Sequence, residues 1–154
     1  MEGQTASVTI AAPPETVWDI LTDVRRTGEW SPVCYRCEWI GGSSGAEAGA
    51  RFKGWNKQGP ARWTRECLVD EAERGAVFAF HTLYKGRVST RWRYTFEPAD
   101  DGTRLTESYQ PVFAPVYVRI AAGLAPKRSA ADSRRNIETS LQRLKQAAEA
   151  QRSA

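Results

Sequence analysis

Ile137, Leu141, Leu144 and Ala148 recur at steps of four, three and four near the end of the chain, which lines them along one side of an α-helix. Arg134, Arg135, Glu138, Gln142, Arg143, Lys145 and Glu149 fill the other directions, and no Gly or Pro interrupts 129–150. Ser129 or Asp132 is placed to cap the start, since a short side-chain oxygen there accepts from free backbone N–H groups. At about 1.5 Å per residue this helix is roughly 30 Å long, the width of a small domain. Its apolar stripe has to be buried, and what precedes it reads mostly as strands. The expected fold is therefore α+β, a curved antiparallel sheet closed around one long C-terminal helix.

Residues 7–11 read as an opening strand with Val8 and Ile10 on one face. Ala12-Pro13-Pro14-Glu15 then starts a helix, because Pro is tolerated where the N–H would be unpaired and Glu15 suits the positive end of the dipole. Val17, Trp18, Leu21 and Val24 form its buried side, it stops near Gly28, and Glu29-Trp30-Ser31-Pro32 is a second punctuation point. Two short helices are thus expected between strands one and two. Six more extended segments follow, at 33–40, 51–57, 62–70, 76–84, 88–97 and 103–110, each closed by Gly, Pro or Asp. Residues 111–124 are apolar and broken by Pro115 and Gly123, which predicts a short helix or lid over about 116–122, bordering a cavity mouth.

Strand alternation assigns the inward faces. Trp92, Tyr94 and Phe96 share one side of their strand, as do Phe78 and Phe80, Trp63, Cys67 and Val69, and Leu105 and Tyr109. Phe52 and Gly54 imply that Asn56 also points in. Six Trp, five Tyr and five Phe in 154 residues require a core or cavity lined with rings. Arg65 and Glu107 fall in the same inward registers, where a charge is costly unless paired or wetted. Either they form a buried ion pair, or they and Asn56 orient a polar group on an apolar ligand. A structural pair predicts that Glu107→Gln destabilises the protein; a cavity role predicts altered ligand binding or turnover.

Other chemistry is sparse. Cys34-Tyr35-Arg36-Cys37 has the spacing of a redox or zinc pair, but residues three apart in a strand face opposite sides. Zinc would need Cys67 and His81 as further ligands, so three structural thiols and no metal are expected. His81, the only histidine, alternates with Phe80 and points away from the cavity. No Ser–His–acid order or phosphate loop is present, and no cofactor is expected. The net charge of +4 comes from interspersed Lys, Arg, Asp and Glu, which argues against nucleic acid, and Lys127, Arg128, Arg134 and Arg135 read as a solvated helix face. No apolar run approaches the ~20 residues of a membrane span. The N-terminus shows no basic region followed by an apolar run, and the cysteine count is odd, so a reducing cytoplasm is the expected home. One domain over 1–154, as monomer or homodimer, fits the length.

The residues 12–23, Glu29-Trp30-Ser31-Pro32, Gly49-Ala50-Arg51-Phe52-Lys53-Gly54-Trp55-Asn56, Trp63-Thr64 and Gly102-Thr103-Arg104-Leu105-Thr106-Glu107-Ser108, with the closing helix, resemble the START-like superfamily. Within it the chain is most similar to the bacterial polyketide cyclase/dehydrase and lipid-transport group. The resemblance implies a helix-grip fold, seven antiparallel strands around a long C-terminal helix with a ligand cavity between, and a hydrophobic or aromatic ligand. Phe52, Asn56, Trp63, Arg65, Phe78, Phe80, Trp92, Tyr94, Glu107, Tyr109 and Leu141 are the expected contacts. Three functions follow. The first is binding or transport of such a molecule. The second is polyketide cyclisation, aromatisation or dehydration with Glu107 as acid or base and Arg65 stabilising an oxygen. The third is a surface-acting interaction protein, which a filled interior would favour.

Overall fold

A computed structural model describes residues 3–124 and 126–153, with side chains for all of these except 122, 126–129, 152 and 153. Strand β1 (Gln4–Ile10) leads into helix α1 (Pro14–Thr22) and a 3-10 helix (Val24–Glu29). The meander follows: β2 (Cys34–Ile40), β3 (Arg51–Gln58), β4 (Ala61–Glu73), β5 (Val77–Tyr84), β6 (Arg87–Ala99) and β7 (Gly102–Pro111). Helices α2 (Val116–Leu124) and α3 (Pro126–Ser153) close the chain. The sheet order is β1-β7-β6-β5-β4-β3-β2, with every neighbouring pair antiparallel. This is the helix-grip architecture.

The stripe of α3 is buried as its spacing requires: Ile137, Leu141, Leu144 and Ala148 all lie in the core. Lys145 Nζ donates to the Thr9 carbonyl (3.0 Å) and the Ala11 N–H donates to Glu149 Oε2 (3.2 Å), so α3 is tied along β1. Trp18 Nε1 donates to the Val77 carbonyl (2.9 Å) and fastens α1 to β5. Helix α3 starts at Pro126, three residues before Ser129, so Asp132 lies inside the helix rather than at a cap. The side chains of Lys127, Arg128 and Ser129 lie outside the described residues. Arg134 and Arg135 are exposed, as a solvated face requires, and pair with Glu138 and Asp132.

The β6–β7 hairpin seats tightly against the chain leaving β1. A Cβ on Gly102 would stand 2.0 Å from the Ile10 carbonyl oxygen and 2.9 Å from the Ala12 nitrogen, and both are backbone atoms with little room to yield. Thr103, fully buried beside it, donates to the Ala12 carbonyl (2.7 Å). Gly102→Ala is therefore expected to cost about 1–3 kcal/mol or more in denaturant melts, the range for an overpacked site. A melt like the wild type's would show that the hairpin can shift away at no cost.

Candidate functional site

The concave face of the sheet carries a file of rings across its strands. Trp39 meets Phe52 (centroids 5.7 Å), Phe52 meets Phe80 (5.0 Å), Phe80 faces Trp92 (6.3 Å) and Trp92 abuts Tyr109 (4.7 Å). Alternation puts these rings on one side, and cross-strand pairing puts them in contact. They do not fill the interior. Between sheet and α3 lies a cavity of about 370 Å³ whose walls include Phe52, Trp63, Phe78, Phe80, Trp92, Tyr94 and Tyr109. Asn56, Arg65 and Glu107 reach the same space.

Leu141 does not line it. The helix turns Ser133, Asn136, Ile137 and Ser140 to the cavity, while Leu141 packs in the core beside it. These positions repeat at three, four and seven, so α3 carries a second inward stripe next to the apolar one, made mostly of small polar residues. Helical spacing is the available signal, but polar residues at that spacing read as solvated when only apolar periodicity is sought. Thr82, Ser89 and Thr90 add further hydroxyls from β5 and β6. Helix α2 contributes no wall residue among the described side chains; Val116, Tyr117, Ile120 and Leu124 are exposed instead of bordering the mouth.

Glu107 and Arg65 do not pair. Glu107 stands opposite Tyr94, Tyr94 opposite Phe78, and Phe78 opposite Ala72 on β4. Arg65 precedes Ala72 by seven residues, about 20 Å along a strand. Its guanidinium lies over the Tyr84 ring (4.9 Å) and donates to the Thr64 carbonyl (2.9 Å), which satisfies the cation at the other end of the sheet. Glu107, 2% exposed, instead accepts a hydrogen bond from the Tyr94 hydroxyl at Oε1 (2.7 Å). Its other oxygen, Oε2, is buried and has no hydrogen-bond partner among the described residues. Burial pushes the Glu107 carboxyl up to about 7, against the smaller opposing effect of the Tyr94 hydroxyl. Tyr94 is raised well above an ordinary phenol by burial and by the carboxylate beside it. The cavity thus holds one carboxyl poised near neutrality, oriented by one phenol.

His81 points away from the cavity, with Nδ1 2.9 Å from Asp70 Oδ1. The cysteines differ from expectation. A bulge between Cys34 and Arg36 breaks the alternation of β2, and it turns Cys34 to the same side as Cys37. Both cysteines line the cavity with Cys67, although among the described residues no group of His, Cys, Asp and Glu has an arrangement able to hold a metal ion.

Residues 1–149 match the family model described as polyketide cyclase / dehydrase and lipid transport. No curated protein matches the chain. The solution structure of the polyketide cyclase-like protein Cgl2372 from Corynebacterium glutamicum shares 31% identity, covering 97% of this chain and 92% of that one, with a TM-score of 0.59. TTHA0849 from Thermus thermophilus has a TM-score of 0.72 at 19% identity, covering 97% and 98% of the two chains. The di-domain ARO/CYC StfQ of the steffimycin biosynthetic pathway has a TM-score of 0.77 at 14% identity, over 99% of this chain and 52% of that one. The last two likenesses are of fold.

Proposed function

Because the chain belongs to the polyketide cyclase/dehydrase and lipid transport family, we propose that it binds a small hydrophobic or aromatic molecule in the cavity between sheet and α3. The observation that carries this reading is the ring-lined space of about 370 Å³, within the range of small-molecule sites. Phe52, Phe80, Trp92 and Tyr109 supply flat apolar walls, and the hydroxyls of Ser133 and Ser140 with the amides of Asn136 and Asn56 supply a few polar contacts. A filled interior would favour the interaction-protein reading, and the space between sheet and α3 does not supply that support.

Native mass spectrometry of freshly purified protein should reveal a co-purified small molecule. Emptied protein should bind an environment-sensitive apolar dye that quenches tryptophan emission, since Trp63 and Trp92 line the space. A bare mass together with no quenching by the dye would sink the proposal.

One observation favours a second, catalytic reading. Glu107 carries a buried oxygen without a partner on a carboxyl near neutrality, so it can give or take a proton at physiological pH. The Tyr94 hydroxyl holds Oε1, which leaves Oε2 as the buried, unpartnered oxygen of a residue in the cavity wall. Arg65 is too far from Glu107 to stabilise the same reacting oxygen. This reading expects Glu107→Gln to abolish turnover of a poly-ketone substrate while dye binding survives.

A further inference from the structure

The bulge in β2 places two sulfurs together in the cavity wall. Cys34 pairs with Asn56 and Arg36 with Trp55, so Tyr35 is the extra residue, and Cys37 then falls opposite Gly54. A Cβ on Gly54 would press on Cys34 Sγ at 3.3 Å and stand in ordinary contact with Cys37 Sγ at 3.9 Å, so both sulfurs border the same point of the cavity wall. The Cys34 thiol donates to the Arg36 carbonyl oxygen (3.2 Å). Cys34 is half-buried and Cys37 buried, so the pair presents its first member to anything entering the cavity.

We propose that Cys34 and Cys37 form an oxidisable dithiol, in which Cys34 is attacked by a peroxide and Cys37 resolves the product into an intramolecular disulfide. The Cys34 thiolate attacks one peroxide oxygen; an S–O bond forms, the O–O bond breaks, and the departing hydroxide leaves as water after taking a proton. The Cys37 sulfur then attacks Cys34 Sγ, an S–S bond forms, and the Cys34 hydroxyl leaves as water with the Cys37 proton. Two thiols and one hydrogen peroxide become one disulfide and two waters.

The division of labour follows from the surroundings. Cys34 is held below the ordinary thiol range, first by the Cys37 thiol and then, against its burial, by backbone groups of Arg36 and Trp55. Cys37 is pushed up by Cys34 and by burial, so it keeps its proton until the sulfenic acid is formed. Cys67, also pushed up by burial, stands opposite Phe52 on the next strand pair and has no place in the scheme.

The test uses the wild-type chain without ligand, so it is independent of what the cavity binds. After hydrogen peroxide treatment and alkylation in denaturant, one of the three thiols should remain alkylatable, peptide mapping should join Cys34 to Cys37, and a dithiol reductant should restore all three. In Cys37→Ser a sulfenic-acid trap should label Cys34; in Cys34→Ser it should leave Cys37 unlabelled. Three alkylatable thiols after peroxide would overturn the proposal. So would a bridge to Cys67 or between chains, or direct passage of wild-type Cys34 to sulfinic acid.

Discussion

Replacing Glu107 by Gln should stabilise the protein by about 2–4 kcal/mol at about pH 8 and change little at about pH 5. An ordinary glutamate loses its proton near 4.5, whereas this one holds it to about 7 because its site is buried. Between those values the folded chain binds a proton that the unfolded chain has released. Folding is therefore weakened as pH rises through the window, and the full cost is present above it. Glutamine keeps the acceptor for Tyr94 and puts a neutral amide where the unpartnered Oε2 stands, resembling the protonated acid at every pH. Urea melts of both proteins at the two pH values decide the matter. A pH-independent loss in the mutant is the result expected of an ion pair with Arg65, and would contradict the geometry described here.

Leu144→Ala should cost about 2–5 kcal/mol, the range for emptying a leucine site in a packed core. Leu144 is 1% exposed and stands in the same row as Ile137, Leu141 and Ala148, so the methyl groups lost have neighbours on every side. Ser140 provides the control, because it faces the cavity from the same helix. Ser140→Ala removes one hydroxyl from a space already open, and should move stability by no more than about 0.5 kcal/mol. If both substitutions proved equally mild, α3 would be a lid lying on the sheet instead of part of the core.

Much of this architecture is legible from periodicity alone. Trp92, Tyr94 and Phe96 alternate with Arg91, Arg93 and Thr95, and such a pattern can bury its rings only one way. Periodicity tells which face a side chain takes, however, and not how far along the sheet it stands. Arg65 and Glu107 share a face, but the strand registers offset them by about 20 Å along the strand direction, and no property of either segment by itself encodes that offset. Alternation misplaces Cys34 for a related reason. A period of two assumes no inserted residue, and Tyr35 is one. The polar stripe of α3 escapes because a cavity wall reverses the usual meaning of a serine or asparagine at inward helical spacing. The partner of Glu107 is closer to hand, since Tyr94 is the ring directly across the β6–β7 ladder.

The strand order carries a consequence for how the chain is made. Strands β2 to β7 join consecutively, each to the one before, so they can assemble as they leave the ribosome. Strand β1 is synthesised first but lies beyond β7, where Ala6 faces Glu107. It must wait through about a hundred residues of translation with its backbone groups unpaired by any strand. The next strand in sequence, β2, lies at the opposite edge and offers no temporary shelter. The alternation of Thr5, Ser7 and Thr9 with Ala6, Val8 and Ile10 suits that delay, because every second side chain of the unpartnered strand is already compatible with water. When β7 and then α3 arrive, the same strand is captured along one edge by β7 and over its inner face by the helix that ends the chain.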